Sequence, residues 1–297
     1  MIVVVDNNDG TYTCEVPDGK YQYIITKNDY IKDEGVVEVA GTNVLVDVVL
    51  ELEEPFCPCE NVLYSGNIPD SNITWKICDD TETLCIGGTG VMPSINGAWK
   101  DYYGTFTKVV IADGITNVGN SAFQHCNSLV GITIPETVVS IDDFAFNRCT
   151  SLSEIIIPES IISIGSYAFY NSGLKELVIP NSVIDIGLSY TFALCYELTS
   201  VVIGDFVTTI ADYGFYACNK LTDVVIGNSV TAIGDYSFSY TNILNKIQNK
   251  SLVPQTINSN VFQLSGGRNG VLEVPLESLS LYQNADVWKD FQNIIGI

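Results

Sequence analysis

Nine cysteines, a single histidine and several adjacent carboxylates are the residues of this chain whose chemistry could make a site. One histidine, His125, leaves little from which to build a His-dependent triad or a multi-histidine metal centre. It stands beside Cys126 as a Cys/His nucleophilic pair would, but adjacent residues of an extended coil point to opposite sides. Cys57-Pro58-Cys59, with Cys78 and Cys85, is a loose cluster. A disulfide to Cys78 or Cys85, a metal site and unpaired thiols all stay open there, since Cys-x-Cys is a weaker metal signal than paired Cys-x-x-Cys. Asp6-Asn7-Asn8-Asp9-Gly10 begins like a calcium loop, yet Pro17 stands where the closing glutamate belongs. Gly87-Gly88-Thr89-Gly90 lacks the lysine and the following helix of a phosphate cradle and reads as a turn. Asp79-Asp80 and Asp142-Asp143 have the make-up of an acid and base pair, but such neighbours are common and solvated in a chain with 35 acidic residues. No catalytic residue, cofactor or metal is expected.

Acidic residues outnumber basic ones 35 to 13, a net charge of −22, so phosphate backbones and anionic lipid surfaces repel the chain. No stretch is long and apolar enough for a membrane helix, and Met1-Ile2-Val3-Val4-Val5-Asp6 lacks the basic start of a signal peptide. With 297 residues, 46% of them apolar, the chain can bury a large core.

The elements that position these residues are set by a repeat. An aliphatic anchor is followed twelve residues later by phenylalanine in Ile111/Phe123, Ile134/Phe146, Ile157/Phe169, Ile203/Phe215 and Ile226/Phe238, and thirteen later in Ile179/Phe192. Successive anchors are 23, 23, 22, 24 and 23 residues apart, giving six units between about Phe106 and Ile243. In Leu152-Ser-Glu-Ile155-Ile-Ile157-Pro158-Glu-Ser-Ile161-Ile-Ser-Ile164-Gly165, apolar residues alternate, stop at proline, then resume. That pattern predicts two short strands joined by a turn, with Ser166–Leu174 returning the chain to the next strand. A single unit cannot bury its apolar edge, so the units must stack into a right-handed solenoid.

These residues, Leu-x-x-Ile-x-Ile-Pro-x-x-Val-x-x-Ile-Gly-x-x-Ala-Phe-x-x-Cys-x-x-Leu, resemble the leucine-rich repeat of the BspA-like type found in bacterial surface proteins. Ser172 and Thr241 replace the pattern's cysteine in units three and six, and unit four carries one extra residue near Leu188, where a local bulge is expected. Cys126, Cys149, Cys195 and Cys218 all follow the repeat phenylalanine by three residues, which predicts a buried ladder of small apolar side chains.

The fold class expected is mainly β, with a small antiparallel module over 1–55, an N-terminal cap over 56–105 and the solenoid over 106–297. The cap is read from Ile73–Ile77 and Thr83–Gly90 leading through Trp99. From about residue 272 a C-terminal cap follows, in which Pro275 opens a short helix and Leu279, Tyr282 and Trp288 cover the end of the stack. In residues 1–55, turn pairs such as Asp9-Gly10 and Asp18-Gly19 separate alternating runs including Val44–Leu50. That segment resembles the carboxypeptidase-regulatory-like or PEGA-type β-modules used as spacers, without their usual first strand.

Two periodic surface features stand out. Phe144, Tyr167, Tyr190, Tyr213 and Tyr236 precede the repeat phenylalanine by two, with Tyr170 and Tyr216 nearby, and form an aromatic ladder. Val110, Thr133, Ile156, Val178, Val202 and Val225 lie between the two inward aliphatics of the first strand, so alternation points them outward. Either row can be purely structural, the rings covering one another and the β-branched residues favouring the strand. Either can also hold a protein or glycan partner. The lack of a catalytic constellation points to a non-enzymatic protein, and the family resemblance implies one of the cell surface or exterior with an adhesive role towards a host or matrix; a structural spacer and a carbohydrate-binding module are the alternatives.

Overall fold

The computed structural model describes residues 59–94 and 98–297, together with Cys57 and the backbone of four strands ahead of them. It divides into two units, 1–58 and 59–297. In the first, Val4–Asp6 pairs antiparallel with Tyr12–Cys14, and Gly19–Ile25 with Asp33–Val39. The strand expected over Val44–Leu50 and the acidic loop at Asp6–Gly10 fall outside the fully described residues.

The second unit is a β-solenoid of stacked coils. It opens with an antiparallel meander of Val62–Asn67, Asn72–Cys78 and Thr83–Thr89. The last of these pairs in parallel with Lys108–Ile111, which pairs in turn with Gly131–Thr133. The expectation of a glycine-rich turn at Gly87–Gly90 is corrected here, since Gly87 and Gly88 continue the strand opposite Thr74 and Ile73. Glycine is required at Gly88, where φ is +106° and a Cβ would lie 2.1 Å from the Asn72 carbonyl oxygen.

Further along, Glu176–Ile179, Ser200–Ile203, Asp223–Ile226, Lys246–Asn249, Val271–Val274 and Asn293–Gly296 form a six-stranded parallel sheet. Their alternating residues send one set inward: Leu177, Ile179, Val201, Ile203, Val224 and Ile226 are all buried. A second row of two-residue strands follows each turn, as at Ser140–Ile141, Ser163–Ile164 and Asp185–Ile186.

The return segment of each coil is held by the next one. The amides of Phe123 and His125 donate to the carbonyls of Ala145 and Asn147, each at 2.8 Å, and the pattern recurs along the stack. This wrapping places two residues per coil in the left-handed region, for example Tyr213 at φ +57° and Ala217 at +56°.

Inside runs a column of phenylalanines. Phe123, Phe146, Phe169, Phe192, Phe215, Phe238 and Phe262 stack with centroids 5.1–5.7 Å apart. Trp99 closes one end, stacked on Phe123 at 5.5 Å, with its indole N–H donating to the Ala122 carbonyl. Trp288 closes the other end edge-on to Phe262, and its indole donates to the Gln255 carbonyl. Tyr282, on the one-turn helix Leu279–Tyr282, is buried and donates to the Ser251 carbonyl. The polar atoms of Trp99, Tyr282 and Trp288 thus each meet a partner as these large side chains are buried.

Candidate functional site

The aromatic ladder forms as a column. Phe144, Tyr167, Tyr190, Tyr213 and Tyr236 stack face to face at 4.5–5.0 Å, tilted by no more than 13°. Tyr170, Tyr216 and Tyr240 lean against the column or each other at steep angles. All five column residues are half-buried and sit at positive φ, where glycine or asparagine would be less strained. Burial, and then repulsion from the neighbouring phenols of Tyr213 and Tyr167, raises the pKa of Tyr190. Stacking a sugar needs an open ring face, and the three interior tyrosines have both faces covered.

The first-strand row behaves differently. Thr133, Ile156, Val178 and Val202 are exposed, and Val110 and Val225 half-exposed, so the row stands outward on the sheet. Ile156 is 85% exposed and Val178 60%, against 38% for Val202. Carboxylates flank them: Glu154 and Glu176 two residues before, and Glu159 beyond the turn, all exposed. A hollow of about 620 Å3 lies between the third and fourth units, its lining including Glu154, Ile156, Glu159, Lys175, Glu176 and Val178. A second of about 530 Å3 lies towards the second unit, lined by Val110, Gly131, Thr133 and Ile156.

The repeat cysteines are buried and free, as a ladder of small side chains predicts. Cys149, Cys195 and Cys218 donate to the carbonyls of Phe123, Phe169 and Phe192 in the preceding coils. Burial pushes the Cys126 and Cys149 thiols far up, which holds them protonated and unreactive. Ser172 and Thr241 keep the position polar but bonded, Ser172 to the Cys195 sulfur and Thr241 to the Phe238 carbonyl.

The question left open at Cys57, Cys59, Cys78 and Cys85 resolves to oxidised cysteines: Cys59 is bonded to Cys78, and Cys57 and Cys85 are also in disulfides. Disulfide sulfurs are poor metal ligands, so Cys59 and Cys78 offer no thiolate. His125 is exposed while Cys126 is buried, so the two form no pair. Asp142 accepts from Asn117 and Ser140, and Asp143 accepts from the Ser166 amide; both carboxylates brace neighbouring coils. The extra residue of unit four is accommodated by turning Leu188 out to 88% exposure.

Coils of about 23 residues, each with a first strand, a turn, a short second strand and an aromatic return, define a leucine-rich-repeat solenoid. The sequence profile of the BspA type leucine rich repeat region matches residues 98–190 and 188–280, in six copies, and the chain belongs to that family. Among solved structures, it is similar to the T. pallidum leucine-rich repeat protein, at 28% identity over 60% of this chain and 91% of that one, with a TM-score of 0.47. Leucine-rich repeat proteins from Bacteroides ovatus (21%, 70% of each chain, TM-score 0.46) and Eubacterium ventriosum (21%, 72% of this chain and 79% of that one, TM-score 0.43) are also similar. No curated protein matches the chain.

Proposed function

We propose that this is a non-enzymatic, secreted or cell-surface interaction protein that binds a protein partner through the outward face of its first-strand sheet. The observation that carries this reading is the row from Val110 to Val225, an aliphatic stripe left open to solvent and flanked by Glu154, Glu159 and Glu176. Burying such residues against a partner is favourable by about 25 cal/mol per Å2 of apolar area. The carboxylate border suits a partner with basic groups around an apolar centre.

Membership of the BspA-type family supports an interaction or adhesion role. The Cys59–Cys78 disulfide supports an oxidising location. No helix among the described residues is long and apolar enough to cross a membrane. The tyrosine column serves the coil rather than a ligand in this reading, because its interior ring faces are occupied.

The test is binding of the purified chain to a panel of mucins and matrix proteins, with two variants checked for unchanged circular dichroism. Val178→Asp/Val202→Asp is expected to abolish the binding seen for wild type, and Tyr190→Ala to leave it within twofold. The reverse pattern would move the site to the aromatic column, and no binding by wild type would favour a structural spacer.

A further inference from the structure

The row of first strands is continuous except at one place. Gly131–Thr133 pairs with Lys108–Ile111 on one side, and Glu176–Ile179 with Ser200–Ile203 on the other. Between them the coil of unit three joins neither ladder. Lys175 N–H donates to the Ser153 carbonyl at 3.2 Å, and there the rungs stop. The backbone groups of Glu154, Ile155, Ile156 and Ile157 make no hydrogen bond among the described residues.

Three local features explain the break. Gly131 is a weak strand former with no side chain to pack. By the repeat, Glu154 and Glu176 would stand beside each other as like charges, which weakens pairing. Unit three is also one residue short between Phe169 and Ile179, so the next strand arrives early. The loosening reaches inward: Ile132 and Ile155 are only partly buried, whereas Val109, Leu177 and Val201 at the same position are 2% exposed or less.

We propose that this interruption is a strand-addition site for an extended peptide segment whose aliphatic centre is bracketed by basic residues; the proposal deepens the sheet-face reading and rests on it. Unpaired main-chain donors and acceptors next to open hollows are the template that strand addition uses. Charge chooses the occupant. Glu154 and Glu176 face one end of the segment and Glu159 the other, outnumbering the single ammonium of Lys175 on the same hollow, and none of the three carboxylates has a salt-bridge partner among the described residues. Ile156 and Val178 meet its middle. Alternate residues of such a segment would therefore read basic, aliphatic, basic, with small aliphatics between them turned towards Ile132 and Ile155.

The probe is the peptide acetyl-Lys-Val-Ile-Val-Lys-amide, labelled for fluorescence anisotropy and titrated into the full chain, with hydrogen exchange read on the complex. Saturable binding is expected, with exchange at residues 154–157 slowed at least tenfold. N-methylation of both valines, which removes backbone donors but keeps the side chains, should weaken binding at least tenfold. So should Glu154→Lys/Glu176→Lys, a change confined to exposed side chains.

Absence of binding at millimolar peptide overturns the proposal, as does a peptide with glutamates in place of its lysines binding equally well. Equal binding of the N-methylated peptide would leave side-chain docking on the stripe and remove strand addition. The sheet-face reading fails separately, if Val178→Asp/Val202→Asp binds the wild type's protein partner unchanged.

Discussion

Replacing Tyr213 by alanine and by glycine separates what its ring contributes from what its backbone costs. The ring is stacked on Tyr190 at 4.5 Å and 4°, and on Tyr236 at 5.0 Å and 13°. Two such contacts contribute about 1–3 kcal/mol beyond area burial. Burial of half the ring adds about 1 kcal/mol. Tyr213→Ala is therefore expected to destabilise the solenoid by about 2–4 kcal/mol.

Its φ of +57° makes glycine the better truncation. Alanine keeps a left-handed penalty of about 1–2 kcal/mol, which glycine removes while adding about 0.5–1 kcal/mol of unfolded-state entropy. Tyr213→Gly should thus be more stable than Tyr213→Ala by about 0.5–1 kcal/mol, the inverse of the order within a regular strand. Urea unfolding followed by far-ultraviolet circular dichroism reads both differences from the midpoints. An alanine variant within about 0.5 kcal/mol of wild type would show that the column contributes nothing, and an alanine variant more stable than glycine would refute the strain argument.

Cys126, Cys149, Cys195 and Cys218 should resist a water-soluble thiol reagent in the native chain and react fully in 6 M guanidinium, located by peptide mass; labelling of any one of them without denaturant would contradict its burial. Alkaline stability follows from the tyrosines: burial raises the pKa of Tyr103 and Tyr282 above that of the unfolded chain. The folded state then holds more protons than the unfolded state once pH passes about 10, so stability should be unaffected below that pH and fall above it. Thermal melts at pH 8 and pH 10.5 check the sign, and Tyr282→Phe should flatten the slope.

The repeat was legible because its signal is redundant. Six phenylalanines, their aliphatic anchors and four cysteines each report the same period, so the coil, its inward residues and the outward stripe could be assigned before any contact was known. Tyr282 and Trp288 depart from the repeat in the sequence, and the structure buries both beside the last ring of the phenylalanine column. The strand at Gly87–Gly88 was hidden because glycine signals turns by default, and only a backbone approach from Asn72 gives it another reason to be there.

The sequence by itself determined that aromatics recur at one coil position and aliphatics at another. Tertiary structure alone decided that the rings of the first cover one another, and that no other element of the described chain packs over the outward second row. Period assigns a residue to a face, but ring separation depends on the rise between coils and on the left-handed backbone at Tyr167, Tyr190, Tyr213 and Tyr236. Pairing of Cys59 with Cys78 is likewise a matter of distance between chain segments rather than spacing along them. The break at unit three needed both kinds of information. Gly131, Glu154 and the missing residue are written in the sequence, but whether they weaken a ladder or interrupt it depends on how far neighbouring coils yield.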